Sequence, residues 1–175
     1  MVPIIQLPDP SLVLLVGAAG SGKSTLATRL FDPDEILSSD AFRARISGDA
    51  ADQRVTRAAF EQLHRELAIR LLAGHLTVLD ATNLQRSARR AGIDRARAAN
   101  VPVTALVLDL PAAVVLARNA ARAERVVDPA VVQRHLDAVR AAVDDGQLAA
   151  DGFDAVVVLG TPEAVDSLRI ERRRA

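Results

Sequence analysis

The stretch Gly17-Ala18-Ala19-Gly20-Ser21-Gly22-Lys23-Ser24 holds the residues best suited to chemistry, and that chemistry is phosphate binding. It fits G-x-x-x-x-G-K-[ST], in which glycines allow backbone conformations and close approaches that a Cβ forbids. Gly17, Gly20, Ser21 and Gly22 then present successive N–H groups to phosphate oxygens, helped by the positive end of the following helix. Lys23 reaches the β- and γ-phosphates, and the Ser24 hydroxyl ligates Mg²⁺. A Gly/Ser-rich turn can match this pattern by accident. Here, however, the apolar run Leu12-Val13-Leu14-Leu15-Val16 precedes it and a helix-compatible segment, Thr25 to Leu30, follows. The sequence therefore predicts a nucleoside triphosphate site, with ATP and Mg²⁺ as the expected pair.

Phosphoryl transfer also needs an aligned acceptor and cations to meet developing charge. Three acids fall near the ends of predicted strands: Asp40, Asp80 and Asp109. Asp40 is the candidate to orient an acceptor hydroxyl; capping the next helix is its alternative role. Asp80, in Asp80-Ala81-Thr82-Asn83, suits support of Mg²⁺ or its waters, or a turn. Asn83 is a weaker candidate donor to substrate, and Asp109 reads as a helix-entry residue. Arg118 and Arg122 stand four apart on a predicted helix and lead into Arg122-Ala123-Glu124-Arg125. They suit an arginine lid over the phosphates, against a solvated face paired with acids such as Glu124. Arg43, one helical turn past Asp40, either grips an acceptor phosphate or is a plain surface arginine. Arg86, Arg89, Arg90, Arg95 and Arg97 read as the coat of an exposed helix, and Arg172 to Arg174 as a solvated tail. His64, His75 and His135 lack metal-ligand spacing.

The elements that must position these residues alternate. Val2 to Pro10, with three prolines, reads as an irregular lead-in. After the first strand and its helix, Glu35-Ile36-Leu37 is a short second strand, followed by a helix over Ala41 to Ile46. Gln53 to Ala73 is helical, with Phe60, Leu63, Leu67 and Leu71 along one face. Leu76 to Asp80 is a strand, Ser87 to Ala99 a helix, Val103 to Leu108 a strand, and Pro111 to about Arg122 a helix. Asp128 and Pro129 open a helix to about Asp145. Gly146 to Asp154 is loop, Ala155 to Leu159 a fifth strand, and a last helix begins at Thr161-Pro162-Glu163 and ends in Arg172 to Arg174. This order predicts one α/β domain over residues 1–175: a parallel five-stranded sheet with helices on both faces.

Composition bounds the partners. Lys+Arg and Asp+Glu balance at 22 each, which argues against a broad basic surface but leaves room for a small basic pocket. With four aromatic residues, all Phe, the core must be aliphatic. The absence of cysteine excludes disulfides and thiolate metal sites. No apolar run approaches the ~20 residues of a membrane span, and the N-terminus lacks signal-peptide order, so a cytoplasmic protein is expected.

Taken together, Gly17 to Thr25, Ser38-Ser39-Asp40 with Arg43, Asp80-Ala81-Thr82-Asn83, and Arg118-Asn119 with Arg122 and Arg125 form a more specific pattern. It resembles the polynucleotide 5′-kinase module of bacterial polynucleotide kinase-phosphatases, which are RNA repair enzymes, over essentially the whole chain. The resemblance implies a P-loop kinase fold with a helical arginine-bearing lid, and transfer of the ATP γ-phosphate to the 5′-OH of a polynucleotide. It implies that Lys23 and Ser24 bind phosphates and Mg²⁺, with Thr25 near the α-phosphate. Asp40 would activate the 5′-OH, Arg43 would contact the next phosphate, and Arg118 and Arg122 would meet the ATP phosphates. Longer members of that family also carry metallophosphatase and ligase-like domains, which this sequence lacks. It reads as an excised module, with such modules as partners in a longer parent, or as a stand-alone relative with a different acceptor. A kinase for a small-molecule hydroxyl, or a nucleotide-dependent ATPase switch, are the competing expectations. Because Phe42 is the only aromatic residue expected near the acceptor, weak base specificity is expected too.

Overall fold

The apolar run before the phosphate loop forms the central strand of the molecule. In the computed structural model, which describes residues 3–123 and 125–174, the elements follow in this order: β1 (Ile4–Asp9), β2 (Leu12–Gly17), α1 (Lys23–Leu30), β3 (Ile36–Ser38), α2 (Ser39–Ser47), α3 (Thr56–Leu72), β4 (Thr77–Asp80), α4 (Arg86–Ala98), β5 (Val103–Leu108), α5 (Ala112–Ala120), α6 (Pro129–Asp144), α7 (Gln147–Ala150), β6 (Ala155–Leu159), α8 (Pro162–Ser167) and β7 (Arg169–Arg174). Five strands pair in parallel in the order β3-β4-β2-β5-β6. Every residue of β2 is buried, as expected of a strand covered on both faces. Alternate residues of β2 feed opposite layers. Leu12 and Leu14 pack with Leu63, Leu67 and Leu71 of α3 and Ile93 of α4. Val13 and Leu15 pack with Leu26 of α1, Val115 of α5 and Val132 of α6. The expected α/β sheet with helices on both faces is therefore present.

Both chain ends depart from expectation. Ile4–Asp9 is a strand rather than an irregular lead-in; Val2 lies outside the described residues. It pairs in parallel with β7, which replaces the expected helical, solvated arginine tail. A two-stranded ribbon bonds along one edge of each strand only, so Pro3 and Pro8 do not prevent it. Two arginines of β7 find partners: Arg172 forks onto Glu35 at 2.7 and 2.8 Å, and Arg173 donates to Gln6 at 2.6 Å. The last helix is correspondingly short and stops at Ser167. The stretch expected as loop after Gly146 contains the single turn α7.

One further correction concerns α4. Arg89 was expected on an exposed face, yet it is fully buried, as is its partner Asp151. Its Nε donates to Asp151 Oδ2 at 2.5 Å, and its Nη1 donates to the carbonyls of Asn83 at 3.2 Å and Leu84 at 2.5 Å. Arg86 reaches the other Asp151 oxygen at 2.9 Å. This ion pair ties the loop after β4 to α4 and to the segment before β6.

Candidate active site

Gly17, Ser38 and Asp80 end three neighbouring strands, with Ser38 opposite Asp80 in register. A cleft of about 760 Å³ opens beyond these carboxyl ends, where open α/β sheets bind ligands. The phosphate loop forms its floor. Gly20 (φ 83°) and Gly22 (φ 98°) lie in the left-handed region, which a side chain would strain. A Cβ at Gly20 would also meet Asn119 Cβ at 3.1 Å, so the loop is pressed against α5.

Lys23 is buried, and its Nζ donates to the carbonyls of Gly17 at 3.0 Å and Ala18 at 2.8 Å. Burial pulls its pKa down to about 8, with Asp80 opposing the fall and Arg122 adding to it. Ser24, at the start of α1, donates its hydroxyl to Asp80 Oδ2 at 2.7 Å. Hydroxyl and carboxylate thus face one point beside the loop. Among the described residues no group of three or more His, Cys, Asp or Glu gathers as a metal cage. The pair fits Mg²⁺, which favours oxygen donors and takes its remaining ligands from phosphates and water. Thr25 also lines the cleft, while Gly17 and Ser21 back the loop from the protein side.

The side of the cleft around α2 is built from charge. Ser38, not Asp40, caps α2, its hydroxyl accepting from Ala41 N at 3.4 Å. Asp40 is thereby left free to face the cleft, where two arginines meet it. Arg43 Nη2 donates to Asp40 Oδ1, and Arg125 Nη1 reaches the same oxygen at 3.5 Å. Arg43 is buried and anchored by its Nε on the Ala50 carbonyl at 2.8 Å. Burial, with Arg125 beside it, lowers its pKa.

The segment after α5 closes the cleft from above. Arg118 Nη1 donates to the Ser21 carbonyl at 3.2 Å, and Arg118, Arg122 and Arg125 all line the cavity. Glu124, offered as a partner for this segment, lies outside the described residues. Two residues with no assigned role support these parts, Asn119 the segment after α5 and His135 the loop. Asn119 is buried and exchanges both hydrogen bonds of its amide with Val127, accepting at 3.0 Å and donating at 2.7 Å. His135 of α6 accepts from Ala19 N at 3.4 Å through Nδ1. Burial, then Lys23 and Arg134, lowers its pKa and favours the neutral ring. Asn119 is visible in the sequence only as the neighbour of Arg118. His135 carries no sequence signal, because its contact with the loop spans 116 residues.

Two expectations are corrected. Asn83, a proposed substrate donor, is buried with φ 49°, and its Nδ2 donates to the Leu15 carbonyl at 2.7 Å. It closes the turn after β4 rather than facing the cleft. Phe42 is buried in the core under Arg45, whose guanidinium lies 4.8 Å from its ring centre. Phe60 of α3 borders the cleft instead. Asp109, read as a helix-entry residue, pairs with Arg140 of α6 at 3.3 Å.

Comparison with known proteins agrees with this architecture. A chain of the Pnkp1/Rnl/Hen1 RNA repair complex superposes with a TM-score of 0.63 at 23% identity, covering 78% of this chain and 46% of that one. A sugar kinase from Janibacter sp. HTCC2649 gives 0.55 at 23% identity, over 86% of this chain and 85% of that one. A gluconokinase from Sinorhizobium meliloti 1021 gives 0.55 at 16% identity, over 91% and 92%. These likenesses concern the fold, which is that of the P-loop kinases. No curated protein matches the sequence. Residues 12–145, most of the chain and the whole of the loop, cleft and lid segment, match the family AAA_33, described as an AAA domain, and the chain belongs to it.

Proposed function

We propose that the protein is an ATP- and Mg²⁺-dependent kinase that phosphorylates the 5′-OH end of a polynucleotide. The observation that carries this reading is Asp40, uncapped, held by Arg43 and Arg125 across the cleft from the Ser24–Asp80 pair. The residues divide between donor and acceptor. The loop amides, Lys23, Arg118 and Arg122 hold the ATP phosphates, with Thr25 beside them. Ser24 and Asp80 hold Mg²⁺, which supplies positive charge to the phosphates. Asp40 aligns the acceptor hydroxyl and takes its proton as the new O–P bond forms. The bond from the γ-phosphorus to the β-phosphate oxygen breaks, leaving ADP. Because an ordinary carboxylate is a weak base, most of the benefit of Asp40 lies in positioning. Arg43, preorganised by the Ala50 carbonyl, grips the phosphate that follows the reacting nucleoside.

A second reading, transfer to a small-molecule hydroxyl, draws support from the fold likeness to the sugar kinase and gluconokinase over most of each chain. The two are separated by offering labelled ATP with a 5′-OH oligonucleotide, a free nucleoside and a nucleoside 3′-monophosphate. The polynucleotide reading expects labelling of the oligonucleotide and the 3′-monophosphate, with the free nucleoside poor. No labelling of any of them, with ATP still bound, would sink it.

A further inference from the structure

A second concavity, of about 490 Å³, lies between α3 and α4, lined by Arg57, Phe60, Glu61, His64, Arg65 and Arg95. The first five recur at helical spacing on one face of α3. Phe60 borders both this groove and the Asp40 cleft, so the two concavities adjoin. The rings of Phe60 and His64 lie 6.1 Å apart, tilted by 38°. Burial, with Arg95 nearby, drops the His64 pKa to about 4, so at neutral pH it offers an uncharged aromatic face.

Around these rings stand three guanidinium groups and one carboxylate. Arg57 pairs with Glu61 at 3.1 Å, but its side chain is 93% exposed, and an exposed pair of this kind yields readily to a better anion. Arg65 Nε donates to the Glu61 carbonyl at 3.4 Å. Arg95 donates to the carbonyls of His64 at 3.1 Å and Ala91 at 2.7 Å, contacts that orient it without neutralising it. Aromatic faces flanked by cations along a groove are what a single strand of nucleic acid requires, because every base has a stacking face and every step a phosphate.

We propose that this groove carries the downstream nucleotides of a single-stranded acceptor, bases stacked on Phe60 and His64 and phosphates met by Arg57, Arg65 and Arg95. The proposal rests on the polynucleotide kinase reading and extends it past the first phosphate at Arg43. Arg57 and Arg65 are separated along α3 by about 12 Å at 1.5 Å per residue, so they can meet different phosphates of one strand. Recognition of this kind tolerates any base, and it gives long acceptors an advantage over short ones.

The test compares the wild-type chain with the double charge reversal Arg57→Glu/Arg65→Glu, and with the milder Arg65→Ala, after thermal melts establish that each folds. Binding of a fluorescein-labelled single strand of about ten nucleotides, within the usual site size of such grooves, is followed by anisotropy at several salt concentrations. The double variant is expected to bind at least about tenfold more weakly, with the slope of log K against log salt reduced by about 1.4 for two lost phosphate contacts. In transfer assays the KM for the long acceptor should rise, while that for a nucleoside 3′-monophosphate should not. Equal strand affinity and equal salt slope in the double variant and the wild-type chain would overturn the groove. If the wild-type chain labels no oligonucleotide, the kinase reading fails separately, and the anisotropy still decides whether the groove holds a strand.

Discussion

Two aspartates of this protein are each met by two arginines, and their surroundings give them opposite uses. Asp151 and Arg89 are both fully buried, and Arg89 Nη1 donates to the Asn83 and Leu84 carbonyls. The side chain of Asp40 is 43% exposed, and its partners Arg43 and Arg125 come from its own helix and from the segment above the cleft. The first cluster is closed, because its Arg89–Asp151 pair lies wholly inside the protein. The second, with the same ratio of two cations to one carboxylate, lines the cleft, so its excess positive charge is presented there. A closed ion pair fixes backbone; an open, cation-rich one is available to an anionic ligand. Residue type and the ratio of cations to carboxylate are the same in both, and burial distinguishes the closed cluster from the open one.

The sharpest way to break this contrast is to remove each acid in turn. Asp40→Ala should lower kcat for transfer by about 10³- to 10⁴-fold, the upper range for a positioned acid–base group, with ATP affinity nearly unchanged and a smaller fall in melting temperature than in Asp151→Ala, because Asp40 is partly exposed. Single-turnover transfer together with a thermal melt checks both halves. Retained transfer would remove Asp40 from the reaction.

Asp151→Ala should do the reverse. Leaving Arg89 buried without its anion costs about 3 kcal/mol or more of folding stability, seen as a lower midpoint in urea. Transfer per folded molecule should stay close to wild type at low temperature. A stable Asp151→Ala protein that had lost transfer would reverse the assignment of scaffold and site.

What the sequence disclosed follows the same division. The phosphate loop, the strand before it and the alternation of strands and helices were legible because they are local: each depends on residues a few positions apart. Asp40, Arg43, Asp80 and the lid arginines were legible as candidates for the same reason. The Arg89–Asp151 pair was not, since a separation of 62 positions hides it and an arginine-rich helix ordinarily faces water. The β1–β7 ribbon joins the two ends of the described chain, and prolines in one strand and arginines in the other mask both. Asn83 looked like a substrate donor because nothing local shows that its amide is used by Leu15, 68 residues away.

The lid segment sharpens the comparison by showing how an open cluster is kept in place. The Asn119 side chain holds the Val127 backbone by two hydrogen bonds, and Arg125, two residues earlier, reaches Asp40. Asn119→Ala leaves that N–H and carbonyl unpaired, at a local cost of about 2 kcal/mol. Hydrogen exchange should quicken in the segment after α5, and kcat should fall by about tenfold for a misplaced lid. Global unfolding should change less than in Asp151→Ala. A fall in global stability as large as that one would make Asn119 scaffold as well.

Lys23 gives the smallest and most graded test, because it is a cation held in the open region without a full counter-charge. Its pKa in the folded protein is about 8, against 10.5 ordinarily, chiefly through burial. Between those values the unfolded chain binds more protons than the folded one, so stability of the nucleotide-free protein should rise as pH goes from about 8 to 10.5. ATP reverses the sign, since its phosphates favour the charged amine. Binding should therefore take up a fraction of a proton near pH 8, and affinity should weaken by up to about fivefold from pH 8 to 9 as the lysine of the nucleotide-free protein loses its proton. Titration calorimetry in two buffers of different ionisation enthalpy reads the uptake directly. Lys23→Met should abolish both the proton uptake and the alkaline loss of affinity. Uptake that survived in Lys23→Met would move the titrating group elsewhere in the cleft.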